Sequence, residues 1–227
     1  MLEYLQPTPS IDCDHVAVME FVKQHCSDQT DPVQHAVQLY YAVRDGILYD
    51  PYSAVVSIDG LRASATLKKG RGWCVAKAIL LAASCRAFGI PSRLGYADVR
   101  NHLSTARMRQ AMNNDIFYWH GYTSIYLNGS WVKVTPAFNI ELCQKFGLKP
   151  LDFDGSNDAL FHPFDLEGKQ HMEYLRYRGE FADVPIDQIL ETFQKKYPIS
   201  PPVSEADFDS DVDQETSPDK NRPQQTE

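Results

Sequence analysis

Apolar residues recur at helical spacing in four segments of the chain, and this pattern predicts a helix over 14–26, 32–46, 74–88 and 186–197. Asp31 is a favourable N-cap before Pro32, and Gly89 followed by Pro91 gives the third segment a clear end. In the first helix, Val16, Met19, Phe21 and Val22 are expected on the apolar side. A strand is predicted over 93–99. The chain therefore reads as mixed α and β.

A β-hairpin is predicted around Asn128-Gly129, the dipeptide preferred in two-residue hairpin turns. If the turn contains only these residues, Tyr126 lies opposite Trp131. The pleat then divides the residues between two sides, because successive side chains of a strand point in opposite directions. One side is expected to pack on a core and carries Thr123, Ile125, Leu127, Val132 and Val134.

His120 lies on the other, more polar side of the predicted hairpin. In this register it is expected opposite Ala137, and its diagonal neighbours on the partner strand are Thr135 and Asn139. Both neighbours are polar and within reach of an imidazole. Pro136 cannot donate to the ladder, which leaves the pairing beyond Thr135 open.

The formal charge of −8 is concentrated at the end of the 227-residue chain. Residues 201–227 hold eight Asp and Glu against two Lys and Arg, and few side chains that could be buried. Such a composition favours disorder. We therefore predict one domain over 1–200 and an acidic, disordered tail over 201–227. The nearly neutral remainder lacks the basic surface expected of a nucleic-acid partner.

The five cysteines include no Cys-x-x-Cys pair, and no ligand spacing specifies a metal. There is no apolar run of the roughly 20 residues that cross a membrane, and no secretory signal pattern. Free thiols without such a signal indicate a cytoplasmic protein. We expect no cofactor, no metal and no membrane partner, and the sequence does not indicate an oligomeric state.

Cys74, within GRGWCVAKAIL, stands where a glycine-containing turn meets a helix. A helix N-terminus and a nearby imidazolium both lower a cysteine pKa, so Cys74 is a candidate nucleophile and His120 a candidate base. The backbone N–H of Cys74 is a candidate oxyanion donor. The alternative is that both residues only pack in the structure. Lys77, one turn further along, is expected to be solvated.

Residues 66–96, TLKKGRGWCVAKAILLAASCRAFGIPSRLGY, resemble the core of the transglutaminase-like superfamily, and residues 118–135 are similar to its histidine-bearing hairpin. The resemblance covers roughly 35–140. GYADVRNHL and TPAFNIELC are similar to a bacterial branch of this superfamily. The resemblance implies a papain-like α+β fold, in which N-terminal helices and a catalytic-cysteine helix pack on an antiparallel sheet. It also implies a Cys–His–Asp triad that transfers acyl groups through a thioester.

Carried over by residue, the resemblance makes Cys74 the nucleophile and His120 the base. The position of the family's aspartate is occupied by Thr135, which can accept a hydrogen bond but supplies no charge. Asn139 is the slightly favoured alternative for orienting His120, and Asp98 is a third candidate. The function expected is cleavage or transfer at peptide or amide bonds, with hydrolysis preferred. The alternative is a catalytically decayed module that binds through its surface or acidic tail.

Overall fold

The computed structural model describes residues 1–26, 31–101, 104–160, 164–169, 172–197 and 206–217. The longer helices are α1 (Val16–His25), α2 (Pro32–Gly46), α5 (Cys74–Ala87), α8 (Ile186–Lys196) and α9 (Phe208–Thr216). The shorter helices are α3 (Ile58–Leu61), α4 (Ala63–Lys69), α6 (Ala106–Met112) and α7 (Ile140–Lys145). The strands are β1 (Leu48–Tyr49), β2 (Arg71–Gly72), β3 (Ser92–Asn101), β4 (Ile116–Leu127), β5 (Ser130–Val134) and β6 (Met172–Phe181).

Four strands form an antiparallel sheet in the order β5-β4-β3-β6, while β1 and β2 form a short parallel pair. The β4–β5 hairpin has the predicted register, since Tyr126 pairs with Trp131 across an Asn128-Gly129 turn. Both turn residues have positive φ, of 49° and 86°, as the turn type requires. The predicted pairing partner of His120 is wrong, because β5 ends at Val134 and the chain then turns toward another segment.

Helix α5 packs against β4 and is buried along nearly its whole length. Gly121 permits a close approach, because a Cβ built there would lie only 2.9 Å from the Cα of Val75. The hydroxyl of Thr123, on the same side of the strand, donates to the Ala78 carbonyl at 2.8 Å. Helices α1, α2 and α4 contact other surfaces of α5. The core is therefore built around the helix that begins with Cys74.

Helix α1 agrees only in part with the predicted apolar side. Val22 is buried and Phe21 packs against the core, as predicted, but Val16 is 65% exposed and Met19 36% exposed, and Val18 is buried in their place. The helix is capped by His15, whose Nδ1 accepts from the Ala17 N–H at 3.2 Å. The apolar residues were identified correctly as helical, but the side that faces the core depends on where the neighbouring elements pack.

Helix α9 lies where the composition predicts disorder, so for residues 206–217 that prediction is wrong. Asp207 caps the helix by accepting from the N–H groups of Asp209 and Ser210. Phe208 and Val212, one turn apart, are both buried. Two apolar residues at helical spacing and an N-cap thus overcome an unfavourable overall composition. Residues 201–205 and 218–227 lie outside the described residues, and the division of the chain at residue 200 stays a prediction.

Lys77 is completely buried, which contradicts the expectation of a solvated side chain. Its Nζ donates to the backbone carbonyls of Arg44 at 2.9 Å and Ile47 at 2.5 Å. These bonds join the first turns of α5 to the end of α2, beside β1. Burial lowers the pKa of the Lys77 amine well below its ordinary value.

We expect the contribution of Lys77 to stability to increase with pH. The unfolded chain, where the amine has its ordinary pKa of ~10.4, binds more protons than the folded chain, so folding is favoured as pH rises toward that value. The difference in unfolding free energy between the wild type and Lys77→Met should rise between pH 7 and 10. Its slope should approach ~1.4 kcal/mol per pH unit. Urea unfolding measures this difference, and parallel pH curves for the two proteins would contradict the prediction.

Candidate active site

Cys74 is the first residue of α5 and follows directly on the turn that leaves β2. Gly70 ends α4 with φ 65°, a left-handed conformation that glycine adopts easily. The first hydrogen bond of α5 runs from the Lys77 N–H to the Trp73 carbonyl. The N–H groups of Cys74 and the next two residues therefore have no acceptor within the helix. They form a small positive region around the sulfur.

The Cys74 thiol is buried, with 7% of the residue exposed. Burial raises the pKa of Cys74 to about 11, and the N–H groups of Gly121, Val75 and Cys74 itself lower it by a smaller amount. The expected depression of the cysteine pKa is therefore wrong for this structure, because loss of hydration outweighs the helix N-terminus. At neutral pH the sulfur keeps its proton.

Cys74 lies near an open edge of the sheet. The last pairing of β5 with β4 joins Val134 to Thr123, so β4 continues beyond this point without β5 beside it. Gly121 lies on that stretch against Val75, the residue after Cys74, and its N–H is near enough to lower the pKa of Cys74. Because Gly121 directly follows His120, the contact brings the cysteine to the backbone next to the histidine.

His120 is 5% exposed and pairs with Ala97 of β3. Its side of the sheet is not the polar surface that the hairpin pattern predicts. Ala97 belongs to a second apolar cluster, and the His120 ring lies 6.4 Å from the ring of Tyr174 on β6. Burial lowers the pKa of His120 to about 3, so the imidazole is neutral at physiological pH.

A bulge in β4 sets the position of His120. Between the pairs Ala97–His120 and Val99–Phe117, β4 contains one residue more than β3. Trp119 lies in this bulge and has φ 60°, a left-handed conformation that costs a non-glycine residue roughly 1–2 kcal/mol. Such bulges redirect the side chains next to them.

Asp98 holds the bulge in place from the neighbouring strand. Its Oδ1 accepts from the Trp119 N–H at 3.2 Å and from the Arg178 Nε at 2.5 Å. The guanidinium of Arg178 also lies 4.6 Å from the centre of the Trp119 ring. Asp98, considered in the sequence as an orienting residue, is thus tied to the backbone immediately before His120.

The two favoured orienting candidates differ in what they contact. The Asn139 Oδ1 accepts from the Tyr49 N–H at 3.1 Å, which fixes β1 next to α7. The Thr135 hydroxyl is buried and has no hydrogen-bond partner within the described residues. The backbone N–H of Thr135 donates to the Ala159 carbonyl at 3.0 Å. Which residue orients His120 stays a prediction.

Three tyrosines from distant parts of the chain lie within electrostatic range of Cys74. Burial is the main cause that raises the phenol pKa of Tyr49, Tyr96 and Tyr197, and the nearby Cys74 raises each of them further. Trp73 contacts Phe193 of α8, with ring centres 6.3 Å apart. These tyrosines come from β1, β3 and the end of α8, and no spacing in the sequence indicates that they meet at Cys74.

The model of the transglutaminase-like superfamily matches residues 20–136, just over half of the chain. This chain belongs to the transglutaminase-like superfamily. The predicted papain-like α+β fold, with the cysteine helix of the transglutaminase-like core on an antiparallel sheet, is confirmed. The match includes both Cys74 and His120.

Two solved structures are similar to this transglutaminase-like chain. One, from Cytophaga hutchinsonii, is named "putative cysteine protease"; it is 17% identical with a TM-score of 0.46, over 60% of this chain and 41% of that one. The other, an arylamine N-acetyltransferase from Mycobacterium abscessus, is 12% identical with a TM-score of 0.39, over 69% and 50% of the two chains. The alignments thus span half or less of the length of these structures. No curated protein matches the sequence.

Metal ligands are not grouped in the part of this transglutaminase-like chain that the structure describes. No three His, Cys, Asp or Glu side chains come close enough together there to hold an ion. Across the same residues, no helix combines the length and the apolar character needed to span a bilayer.

We expect Asp98→Ala to destabilise the protein by about 3–5 kcal/mol, because it leaves the buried Arg178 without its partner and releases the Trp119 backbone. Chemical denaturation measures the loss. Glu167→Ala is the matched control, since it breaks an ion pair with Lys169 that is almost fully exposed and is worth about 0–1 kcal/mol. Equal effects of the two substitutions would show that Asp98 does not support the bulge.

Proposed function

We propose that this chain is a cysteine-dependent acyl-transfer enzyme that acts on peptide or amide bonds, with Cys74 as nucleophile and His120 as base. The observation that carries the proposal is the close approach of Gly121, the residue after His120, to the first turn of α5, which begins with Cys74. Membership of the transglutaminase-like superfamily supports cysteine-based acyl chemistry in general. Hydrolysis is preferred to cross-linking as the reaction to test first, because water needs no binding site of its own to reach a thioester, whereas an amine substrate does.

The raised pKa of Cys74 and the lowered pKa of His120 favour a neutral thiol and a neutral imidazole before substrate binds. The thiol proton would pass to the imidazole as the sulfur attacks the amide carbonyl and the S–C bond forms. Return of this proton to the nitrogen would break the C–N bond, release the amine and leave a thioester. Water, deprotonated by the same imidazole, would then release the acid and restore the thiol.

Backbone N–H groups at the sulfur supply candidates for an oxyanion hole. Those of Cys74 and Gly121 come from a helix N-terminus and a strand edge, which are both rigid elements. Donors held in advance stabilise developing negative charge without reorganisation, and losing one typically costs about 10²–10³ in turnover. When the sulfur bonds to the substrate carbon, both N–H groups would lie close to the oxygen on that carbon, where negative charge develops.

The competing interpretation is a decayed site that serves only for binding. Two observations favour it: Thr135 stands where the family's aspartate is expected, and both Cys74 and His120 are buried. A neutral hydroxyl cannot stabilise an imidazolium with charge. Acylation of the cysteine separates the two interpretations directly.

We expect the wild-type chain to form an acyl adduct on Cys74 when it is incubated with a library of peptides and simple amides or activated esters. Acid quenching followed by mass spectrometry locates the adduct. Cys74→Ala should abolish it, and His120→Ala should slow its formation by about 10²–10⁴-fold through loss of the base.

Cys143→Ala is the control, because Cys143 is also buried and burial raises its pKa to about 11, as for Cys74. It should leave acylation unchanged. A folded wild-type chain that forms no more adduct than Cys74→Ala across the library would support the decayed module.

We expect Thr135→Val to slow turnover by roughly 10–10²-fold with little change in KM, because the buried Thr135 hydroxyl, which has no partner among the described residues, is available to accept from the imidazole when it gains a proton. Asn139→Ala should instead reduce the free energy of unfolding by about 1–3 kcal/mol, because the buried Tyr49 N–H loses its acceptor. Steady-state kinetics and urea unfolding of both variants separate these effects. The opposite pattern would assign the orienting function to Asn139.

A further inference from the structure

Helix α9 occupies a surface formed by several parts of the body. The Phe208 ring lies 5.3 Å from the ring of Tyr52 and 5.9 Å from that of Tyr49. Phe208 and Val212 bury one side of the helix almost completely. A small cavity remains between Phe208, Tyr49 and Phe138. We call the surface that receives α9 the α9 seat and define it by Tyr49, Tyr52, Arg71, Arg107, Arg109 and Lys145.

The α9 seat is complementary in charge to the helix. Four basic side chains from three elements each meet a different acidic residue of α9: Arg71 with Asp209 at 3.6 Å, Arg107 with Asp211 at 2.7 Å, Lys145 with Asp213 at 2.5 Å, and Arg109 with Glu215 at 3.9 Å. The bases of this seat come from β2, α6 and α7. Because the four pairs are largely solvent-exposed, each is weak and screened by salt.

Two hydrogen bonds fix the positions of acidic side chains of α9 in the seat. The Tyr52 hydroxyl donates to the Asp211 Oδ2 at 2.8 Å, and the Ala106 N–H donates to the Glu215 Oε1 at 2.8 Å. The seat therefore recognises acidic side chains at defined positions as well as an aromatic one. A nine-residue helix is marginal by itself in water, so α9 depends on the seat for its structure.

One residue of the α9 seat, Tyr49, also lies near the candidate nucleophile Cys74. Tyr49 touches Phe208 and also lies close enough to Cys74 to interact electrostatically. Arg71 precedes Cys74 by three residues. An open cleft of about 500 Å³ adjoins the seat just before α9 begins, lined by Asp50, Tyr52, Arg71 and Asp207 among others. A longer peptide in this seat could continue into that cleft, beside Arg71.

We propose that the α9 seat is a peptide-binding site for acidic segments with an aromatic anchor, and that α9 is its internal ligand. A second peptide of this chemistry binds when α9 leaves the seat. As a binding site, the proposal stands by itself; as the substrate site of Cys74, it rests on the proposed function. The weakness of each exposed pair makes exchange between the internal and external ligand feasible.

The test uses the full-length chain carrying Cys74→Ala, so that binding is measured without chemistry. The probe is a fluorescent peptide with the sequence of residues 206–217, ADFDSDVDQETS. Two variants release α9 without altering the seat: Phe208→Ala removes the anchor, and Asp211→Arg reverses a charge. By fluorescence anisotropy, each should bind the probe at least about 10-fold more tightly than the parent, because the competing internal ligand is weakened.

Matched controls define what the seat recognises. Glu191→Arg reverses an exposed charge on α8 and should leave probe binding at the parental level. A probe in which the phenylalanine is alanine should bind the release variants at least about 10-fold more weakly, and 0.5 M salt should weaken the native probe severalfold. A probe carrying Asp211→Arg should bind poorly to the Phe208→Ala chain and recover when Arg107→Glu is added.

Three results would overturn the proposal: no probe binding to release variants whose circular dichroism shows them folded, equal binding of the parent and the release variants, or dimerisation of the release variants without probe binding. The proposed function fails separately. If a chain with intact Cys74 binds the probe but is acylated by nothing, the binding-site proposal holds and the acyl-transfer proposal is refuted. If Cys74 is acylated by other peptides but the chain does not bind the probe, the acyl-transfer proposal holds and the binding-site proposal is refuted.

Discussion

Helix α5 and strand β4 can pack closely only because residue 121 is glycine. The absence of a side chain there lets the backbone of the helix approach the backbone of the strand, at Val75. The same approach brings Cys74, at the start of the helix, to the stretch of β4 beside which β5 no longer runs. Core packing and the geometry of the candidate site are thus a single feature, and neither can change without the other.

Burial has opposite consequences for packing and for chemistry. It stabilises the aromatic and aliphatic groups around Cys74, yet it removes the hydration that both the thiolate and the imidazolium would need. The cysteine pKa rises to about 11 and that of His120 falls to about 3, so the two groups face substrate in their neutral forms. Elements from the end of the chain, at Tyr197 and at Phe208, contribute to this dry environment.

Asp98, on the strand beside His120, supports the backbone of the β4 bulge. Asp98 accepts from the Trp119 N–H and pairs with Arg178, and in this way it maintains a conformation that tryptophan adopts only at a cost. Thr135 occupies the place of the expected acid and brings a hydroxyl without charge. If the proposed chemistry holds, the charge that develops on His120 is balanced by neighbouring dipoles and by the tetrahedral oxyanion rather than by a carboxylate.

Local patterns in the sequence predict the features that depend on residues close together in the chain. The start of α5 at Cys74, the Asn128-Gly129 turn and the register of its hairpin follow from caps, turn residues and period, and the family resemblance rests on those same segments. Other features become visible only in the folded protein. Lys77 and His120 are buried, Asn139 accepts a hydrogen bond from the Tyr49 N–H, and α9 packs on the rest of the chain. Each of these depends on residues far apart in the chain, such as Tyr49 and Phe208. The free energy of such contacts comes from desolvation and charge pairing between distant segments, which no local pattern records.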